Sequence, residues 1–148
     1  MSEATGLWRS QFIDIALDLR RQAGKPATHF QDAPDAAIRM KFHIEGVMFQ
    51  VTHLAGANTA ADRFLLECHF GPLAMDRVNE ALVQALSLNL GMARSSSGVL
   101  GIDESLDHLV YSCFVSLHGA TGANISEALR DLAQLAHEWR AAHSITLH

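Results

Sequence analysis

The stretch ALVQALSLNLGMARSSSGVLGID, residues 81–103, decides the fold of this chain. Its first half has the 3.6-residue periodicity of a helix, and its last five residues are typical of a short strand. The helix carries two apolar stripes, one made of Val78, Leu82, Leu86 and Leu90 and the other of Ala81, Ala85, Leu88 and Met92. An ordinary surface helix has one such stripe. One stripe can face a sheet, and the other then needs a partner, for which a second copy of the chain is the simplest candidate.

The segment before this helix predicts three strands. Apolar and polar residues alternate from Ile38 to Ile44 and again from Val47 to Val51, and Glu45-Gly46 between the two runs is typical of a tight turn. A third alternating run extends from Phe64 to Phe70 and ends at Gly71-Pro72. The pattern therefore predicts a hairpin followed by a third strand.

The two ends of the chain predict helices. Residues 6–23 carry one apolar stripe, and Gly24 with Pro26 ends it before a loop that extends from Lys25 to Ala36. Near the other end, Asn124 with Glu127 three residues later resembles a capping box, and an apolar stripe follows.

The order of predicted elements gives the fold class. Asp76 is a candidate N-cap for the helix of residues 81–93, and strands are predicted at residues 99–103 and 108–117. The order is helix, three strands, helix, two strands, helix. We therefore expect a single α+β domain over residues 1–148, with an antiparallel sheet of about five strands and three helices.

Composition limits the class of protein. Of the 148 residues 49% are hydrophobic and 18% are charged, which is typical of a globular chain. The net charge of −5 argues against binding to nucleic acid or to an anionic membrane. No apolar run is long enough to span a bilayer, and the N-terminus lacks the pattern of a secretory signal. Cys68 and Cys113 lie in apolar strand-like runs, which favours reduced cysteines of a cytosolic protein; a disulfide between them is the alternative.

Motifs for catalysis, metal or cofactor binding are not found. The nine histidines include no pair at the spacing of a helical zinc site, since His137-Glu138 is followed by Ala141 where H-E-x-x-H needs a second histidine. Most histidines are expected at solvent-facing positions. The run GMARSSSG lacks the Lys-Ser/Thr pair of a phosphate-binding loop, and no G-x-S-x-G occurs. We therefore predict no catalytic residues, no metal and no cofactor, and we expect contact with other proteins to be the function.

The chain resembles the Tir chaperone (CesT) family of class I type III secretion chaperones, most clearly from about Leu65 to Trp139. The resemblance is carried by the turn FGPL, the helix ALVQALSLNLG, the loop into VLGID, the turn into HLVYSCFVSL and the terminal NISEALRDLAQLAHEWR. It is weaker over residues 1–60. The long loop from Lys25 to Ala36 and the high histidine content depart from the family pattern.

The resemblance implies a non-catalytic homodimer in the bacterial cytosol, without nucleotide or other cofactor. It implies that the chain binds the N-terminal chaperone-binding segment of one or more secreted effectors in extended form and keeps them soluble and export-competent. It also implies the secretion ATPase as a candidate partner. The helix from Asp76 to Ala93 and the strand after it would form the dimer interface, with candidate residues Val78, Leu82, Leu86, Leu90, Val99 and Leu100.

Effector binding by such a protein can follow two physical modes. An extended segment can add a strand to a free sheet edge, and an amphipathic helix can lie in an apolar groove. The first helix and the first hairpin strand are the candidates here, with Leu7, Phe12, Ile15, Ile38, Met40 and Phe42 as predicted contacts. Two alternatives stay open at this point: a dimeric adaptor or regulatory module that is not tied to secretion, and a small enzyme that uses one or two histidines.

Overall fold

The computed structural model describes residues 3–26, 28, 30, 36–54, 60–95 and 98–143. Most of the predicted loop between Lys25 and Ala36, most of the predicted turn at residues 55–62 and part of the serine-rich turn after residue 94 lie outside the described residues. The elements, in chain order, are α1 (Glu3–Gln22), β1 (Ile38–Ile44), β2 (Val47–His53), β3 (Arg63–Pro72), a 3-10 turn (Met75–Arg77), α2 (Val78–Ser95), β4 (Val99–Asp103), β5 (His108–Ser116) and α3 (Gly122–Ala142).

The five strands form one antiparallel sheet with the order β1-β2-β3-β5-β4. The predicted α+β fold, with five antiparallel strands and three helices, is therefore confirmed. The connection from β3 to β5 carries α2 and β4, so that β4 becomes one edge of the sheet and β1 the other.

The β1–β2 hairpin has the turn geometry that its sequence predicts. Glu45 and Gly46 have φ angles of 52° and 77°, and Ile44 pairs with Val47 directly across them. Positive φ at both central residues defines a type I′ turn, whose twist matches that of the flanking strands. The register that follows places Phe42 opposite Phe49, and their rings stack at 5.9 Å.

The hydrophobic core lies between one face of the sheet and the helices. Phe12 of α1, Phe49 of β2, Phe64 of β3 and Leu129 of α3 are almost fully buried in it. The first and last helices also contact each other, and Gln11 of α1 donates a hydrogen bond of 2.6 Å to the carbonyl of Leu117, which precedes α3.

The buried side chain of Arg140 fastens the end of α3 to the sheet. Its guanidinium donates to the carbonyls of Phe70 at 2.7 Å, His69 at 3.2 Å and Gly46 at 3.4 Å. The β3 register shifts between His69 and Gly71, which marks an irregularity in the pairing with β5. Because such an irregularity leaves carbonyls without ladder partners, the arginine supplies donors that the strands cannot.

Two predicted helix starts are wrong. Asp76 lies within the 3-10 turn that precedes α2. The N-cap of that turn is Ala74, which makes no side-chain hydrogen bond. α3 begins one turn before Asn124: Thr121 is the N-cap, its hydroxyl accepts from the Asn124 amide, and the Asn124 side chain accepts from the Thr121 amide. Asparagine thus takes the place in the capping box that the sequence pattern assigned to Glu127.

The two cysteines and three of the histidines have environments that bear on the predictions made for them. Cys68 and Cys113 are both free thiols, and burial raises the pKa of Cys68 to about 12. His53, His69 and His143, by contrast, are buried rather than solvent-facing. His53 Nε2 lies 2.8 Å from the Ala61 carbonyl, and such a polar partner lowers the cost of burying an imidazole.

Candidate protein-binding surfaces

The two apolar stripes of α2 differ in burial. Ala81 and Ala85 are buried, and Leu88 and Met92 pack partly buried against the core. The outer stripe is at the surface: Leu86 is 68% exposed and Leu90 is 57% exposed. Val83, which belongs to neither predicted stripe, is 65% exposed and widens the outer face. α2 therefore covers the core with one face and presents an apolar second face.

β4 also carries an exposed apolar side chain. Val99 is 55% exposed on this edge strand, whereas Leu100 is buried in the core. Asn89 fixes α2 to β4 because its amide group donates to the Leu100 carbonyl at 2.9 Å and accepts from the Leu100 amide at 2.5 Å. We call Val83, Leu86, Leu90 and Val99 the α2–β4 surface. Of the other predicted interface residues, Val78 and Leu82 are half-buried and Leu100 lies beneath the surface.

The opposite edge of the sheet, β1, has a different character. Among the described residues β1 pairs with β2 on one side and with no strand on the other. In a hairpin with a two-residue turn the flanking residues form a hydrogen-bonded pair, and such pairs alternate along the strands. The backbone N–H and C=O groups of Arg39, Lys41 and His43 therefore point to the free edge. Their side chains are exposed as well.

Five of the six predicted effector contacts lie in the core. Leu7 is 72% exposed on α1. The other five side chains are buried in the core between the sheet and the helices: Phe12, Ile15, Ile38, Met40 and Phe42. The apolar face of β1 is covered by the helices, and the apolar face of α1 packs against the sheet, so that neither face is open to a partner. What β1 offers to a partner is therefore its backbone and the side chains of its other face.

An apolar groove of about 530 Å³ lies between α3 and the sheet. Strand residues of the core-facing side form its floor, and α3 forms a wall with two carboxylates: Leu66, Tyr111, Cys113 and Val115 on the strands, and Leu132, Leu135, Asp131 and Glu138 on the helix. Desolvation raises the pKa of the Cys113 thiol, which keeps it protonated and apolar near neutral pH. The alternation of β5 showed that these strand residues share a face, but not that α3 leaves part of it open.

A pair of histidines lies on the other face of the sheet, at the β3–β5–β4 end. The rings of His69 and His108 are 5.9 Å apart, and the Nδ1 atoms of both are buried without a hydrogen-bond partner. Burial lowers the pKa of His69, as do His108 and Lys41, while Asp103 opposes them. The surroundings of His69 therefore favour its neutral form.

The described part of the chain offers no group of three or more His, Cys, Asp or Glu side chains that could hold a metal ion. Over the same residues, none of the helices combines the length and the apolar character that a membrane span requires. The chemistry of the surface is that of apolar faces and a free strand edge.

Comparison with solved structures shows where this fold has been seen. The chain superposes on a chain of the ExsC–ExsE complex with a TM-score of 0.66 and 17% identity, over 90% of this chain and 94% of that one. It matches a chain of the HopA1–SchA chaperone–effector complex with a TM-score of 0.60 and 16% identity, over 95% and 99% of the two chains. It matches a chain of the complex of the Yersinia pestis type III secretion chaperone SycH with a stable fragment of YscM2, with a TM-score of 0.54 and 14% identity, over 86% and 98% of the two chains. At these identities the likeness shows a shared fold.

Sequence comparison identifies the family. No curated protein matches the chain. Residues 40–140, however, match the Tir chaperone protein (CesT) family, and this range includes β2 to β5, α2 and nearly all of α3. Because the match covers well over half of its residues, the chain belongs to the Tir chaperone protein (CesT) family.

Proposed function

We propose that the chain is a type III secretion chaperone that binds the N-terminal segment of one or more secreted effectors in extended form and keeps them soluble and export-competent. The observation that carries the proposal is the free β1 edge on a chain of the CesT family. Support comes from the similar structures, two of which are described as a chaperone–effector complex and as a type III secretion chaperone with a bound fragment. In this role the protein acts without catalysis or cofactor in the bacterial cytosol.

The working unit in this proposal is a homodimer formed through the α2–β4 surface. Leu86, Leu90 and Val83 are each more than half exposed on one chain, and burying them against a second copy removes their apolar area from water. Val78 and Leu82 would contribute at the margin, and Leu100 would support the interface from the core. A two-fold interface uses the same patch on both chains, so each apolar residue counts twice.

The effector segment would use three features of each chain. Strand addition to β1 supplies main-chain hydrogen bonds to Arg39, Lys41 and His43. These hydrogen bonds do not depend on the side chains of the partner. The groove beside α3 accepts apolar side chains or one face of an amphipathic helix, and its rim of Asp131 and Glu138 favours basic flanking residues. Leu7 on α1 is a further exposed apolar contact.

A native pull-down tests the function. The tagged chain is recovered from the cytosol of its own organism, the complex is sized by light scattering and the partner is identified by mass spectrometry. We expect two copies of the chain with the N-terminal region of one secreted protein, and no effect of ATP on the complex. A monomer, or a dimer that holds only folded cytosolic proteins, would instead indicate an adaptor. Association of the loaded complex with the secretion ATPase stays a prediction that the same preparation can test.

A further inference from the structure

The free edge of β1 is basic in a chain that is acidic as a whole. The net charge is −5, yet each exposed side chain along the middle of β1 is a base: Arg39, Lys41 and His43. Their directly opposite residues on β2 are uncharged: Thr52, Gln50 and Met48. Glu67, on the neighbouring β3, accepts a hydrogen bond from Gln50 at 3.1 Å. The ion pairs found among the described residues lie elsewhere, at Arg21–Asp18 and His118–Asp62.

The basic side chains and the outward-pointing backbone groups belong to the same residues. Arg39, Lys41 and His43 direct their N–H and C=O groups to the edge, as the hairpin register requires. An antiparallel strand added there would place one residue directly opposite each of them, about 5.5 Å away between Cα atoms, with its side chain on the exposed face. The intervening residues of the added strand would point to the helix side of the sheet, beside Ile38, Met40 and Phe42.

We propose that the edge of β1 selects extended segments in which acidic residues alternate with apolar ones. The inference rests on the proposed function, because it specifies which segment of an effector such a chaperone would hold. Carboxylates opposite Arg39 and Lys41 gain cross-strand attraction, and apolar residues at the intervening positions continue the covered face of the sheet. Antiparallel pairing is the form proposed because the whole sheet is antiparallel.

The same charges work against pairing of two β1 edges with each other. In an antiparallel pair centred on Lys41, each Lys41 would face its own copy and Arg39 would face His43. Like charges directly opposite each other destabilise a strand pair. The basic edge therefore disfavours sheet-to-sheet association of free chaperone, a common liability of edge strands, while it leaves the edge open to acidic segments.

Labelled peptides measure this selectivity. The probes are two fluorescein-labelled peptides of equal length in which valine alternates with glutamate or with lysine, and binding to the purified full chain is followed by fluorescence polarisation. We expect the glutamate peptide to bind at least about fivefold more tightly at low salt, since favourable cross-strand charge pairs at Arg39 and Lys41 replace repulsive ones. The preference should shrink as salt is added. Equal binding of the two peptides would overturn the proposal.

A charge reversal locates the effect. Lys41→Glu should weaken binding of the glutamate peptide and strengthen binding of the lysine peptide. Arg130→Glu is the matched control, because it changes the net charge by the same amount at an exposed position of α3. If Arg130→Glu shifts the preference as much as Lys41→Glu does, the selectivity comes from overall charge and the β1 site is refuted.

Backbone methylation separates strand addition from simple charge attraction. In antiparallel addition the acidic residues of the peptide direct their N–H groups to β1, so N-methylation at those positions should abolish binding, whereas N-methylation at the valine positions should not. Equal tolerance of both changes would overturn the strand-addition model.

The failure of this inference is distinguishable from failure of the proposed function. If the pull-down recovers a secreted effector and Lys41→Glu leaves that recovery and the peptide preference unchanged, the chaperone function stands and the acidic-segment rule falls. If no effector is recovered but the peptides bind with the predicted preference, the edge is selective and the function assigned to it is wrong.

Discussion

Replacement of Leu86 by aspartate tests the proposed dimer at the centre of its interface. Leu86 lies in the middle of the outer stripe of α2 and is 68% exposed in the single chain. The change therefore leaves the core of each chain intact, and helix α2 keeps its buried face of Ala81 and Ala85. Any large effect must come from what covers Leu86 in the assembled protein.

The expected magnitude follows from the exposed fraction. Complete burial of a leucine side chain contributes about 1.5–3 kcal/mol, so the two-thirds of Leu86 that a partner can cover contributes about 1–2 kcal/mol. A two-fold interface contains the residue twice, which doubles the loss to about 2–4 kcal/mol. A carboxylate that is desolvated without a partner adds to this cost. Since about 1.4 kcal/mol corresponds to a tenfold change in affinity, Leu86→Asp should weaken the dimer by at least about 30-fold.

Sedimentation velocity over a wide range of protein concentration measures this loss. We expect a dimer for the wild type and a folded monomer for Leu86→Asp, with the far-UV circular dichroism spectrum unchanged. Leu7→Asp is the matched control, because Leu7 is 72% exposed on α1 and lies outside the α2–β4 surface. A Leu86→Asp protein with the dimer affinity of the wild type would show that the interface lies elsewhere, and the same would follow if Leu7→Asp alone dissociated the dimer.

Three further changes test the packing of the chain. Arg140→Met should lower the free energy of unfolding by about 2–4 kcal/mol in urea titrations, because it leaves buried carbonyls of β3 without donors, whereas Arg130→Met on the exposed side of α3 should change it by less than about 0.5 kcal/mol. Thr121→Ala should cost about 1 kcal/mol in the same assay through loss of the α3 cap, and Thr121→Ser should restore most of it; equal stability of all three proteins would contradict the capping role. The lowered pKa of His69 means that the unfolded state binds more protons than the folded state just below the usual histidine pKa of 6.5. The free energy of unfolding should therefore fall as the pH is lowered from about 7.5 to about 5.5, and His69→Gln should flatten that slope; an identical slope in the variant would place the titrating group elsewhere.

The hydrophobic periodicity of the sequence predicts the helices and strands, but it does not show which of their apolar faces is buried in the core. The alternation at Ile38, Met40 and Phe42 shows that these residues share a face, and the same would be true if that face were open to a partner. Only the positions of α1 and α3 over the sheet show that the face is core. For α2 the ambiguity was smaller, because two apolar stripes cannot both face one sheet. Because α2 has more apolar surface than one sheet can cover, the sequence already indicates that one stripe, through Ala81, is buried and that the other, through Leu86, is exposed.

Features that depend on tertiary placement could not be predicted from the chain alone. The groove beside Cys113 exists because α3 covers β3 more fully than β5, and no local pattern encodes that offset. The basic residues of β1 can be read from the sequence. The sheet order is needed to show that β1 is an edge strand and not a central one. The cap of α3 was misplaced for a different reason: asparagine at N3 can take the capping-box role that glutamate usually has.

The attachment of α3 has a consequence for how the protein is made. Arg140 reaches back 94 residues to Gly46, and His137 reaches back 92 residues to the carbonyl of Glu45. During synthesis the β1–β2 hairpin therefore leaves the ribosome long before α3, which its turn contacts. Until α3 arrives, the apolar face of β1 and β3 lacks one of the helices that pack on it, and contacts of such long sequence separation also form slowly. A protein proposed to protect other chains from premature association is thus itself open to such association while it is being synthesised.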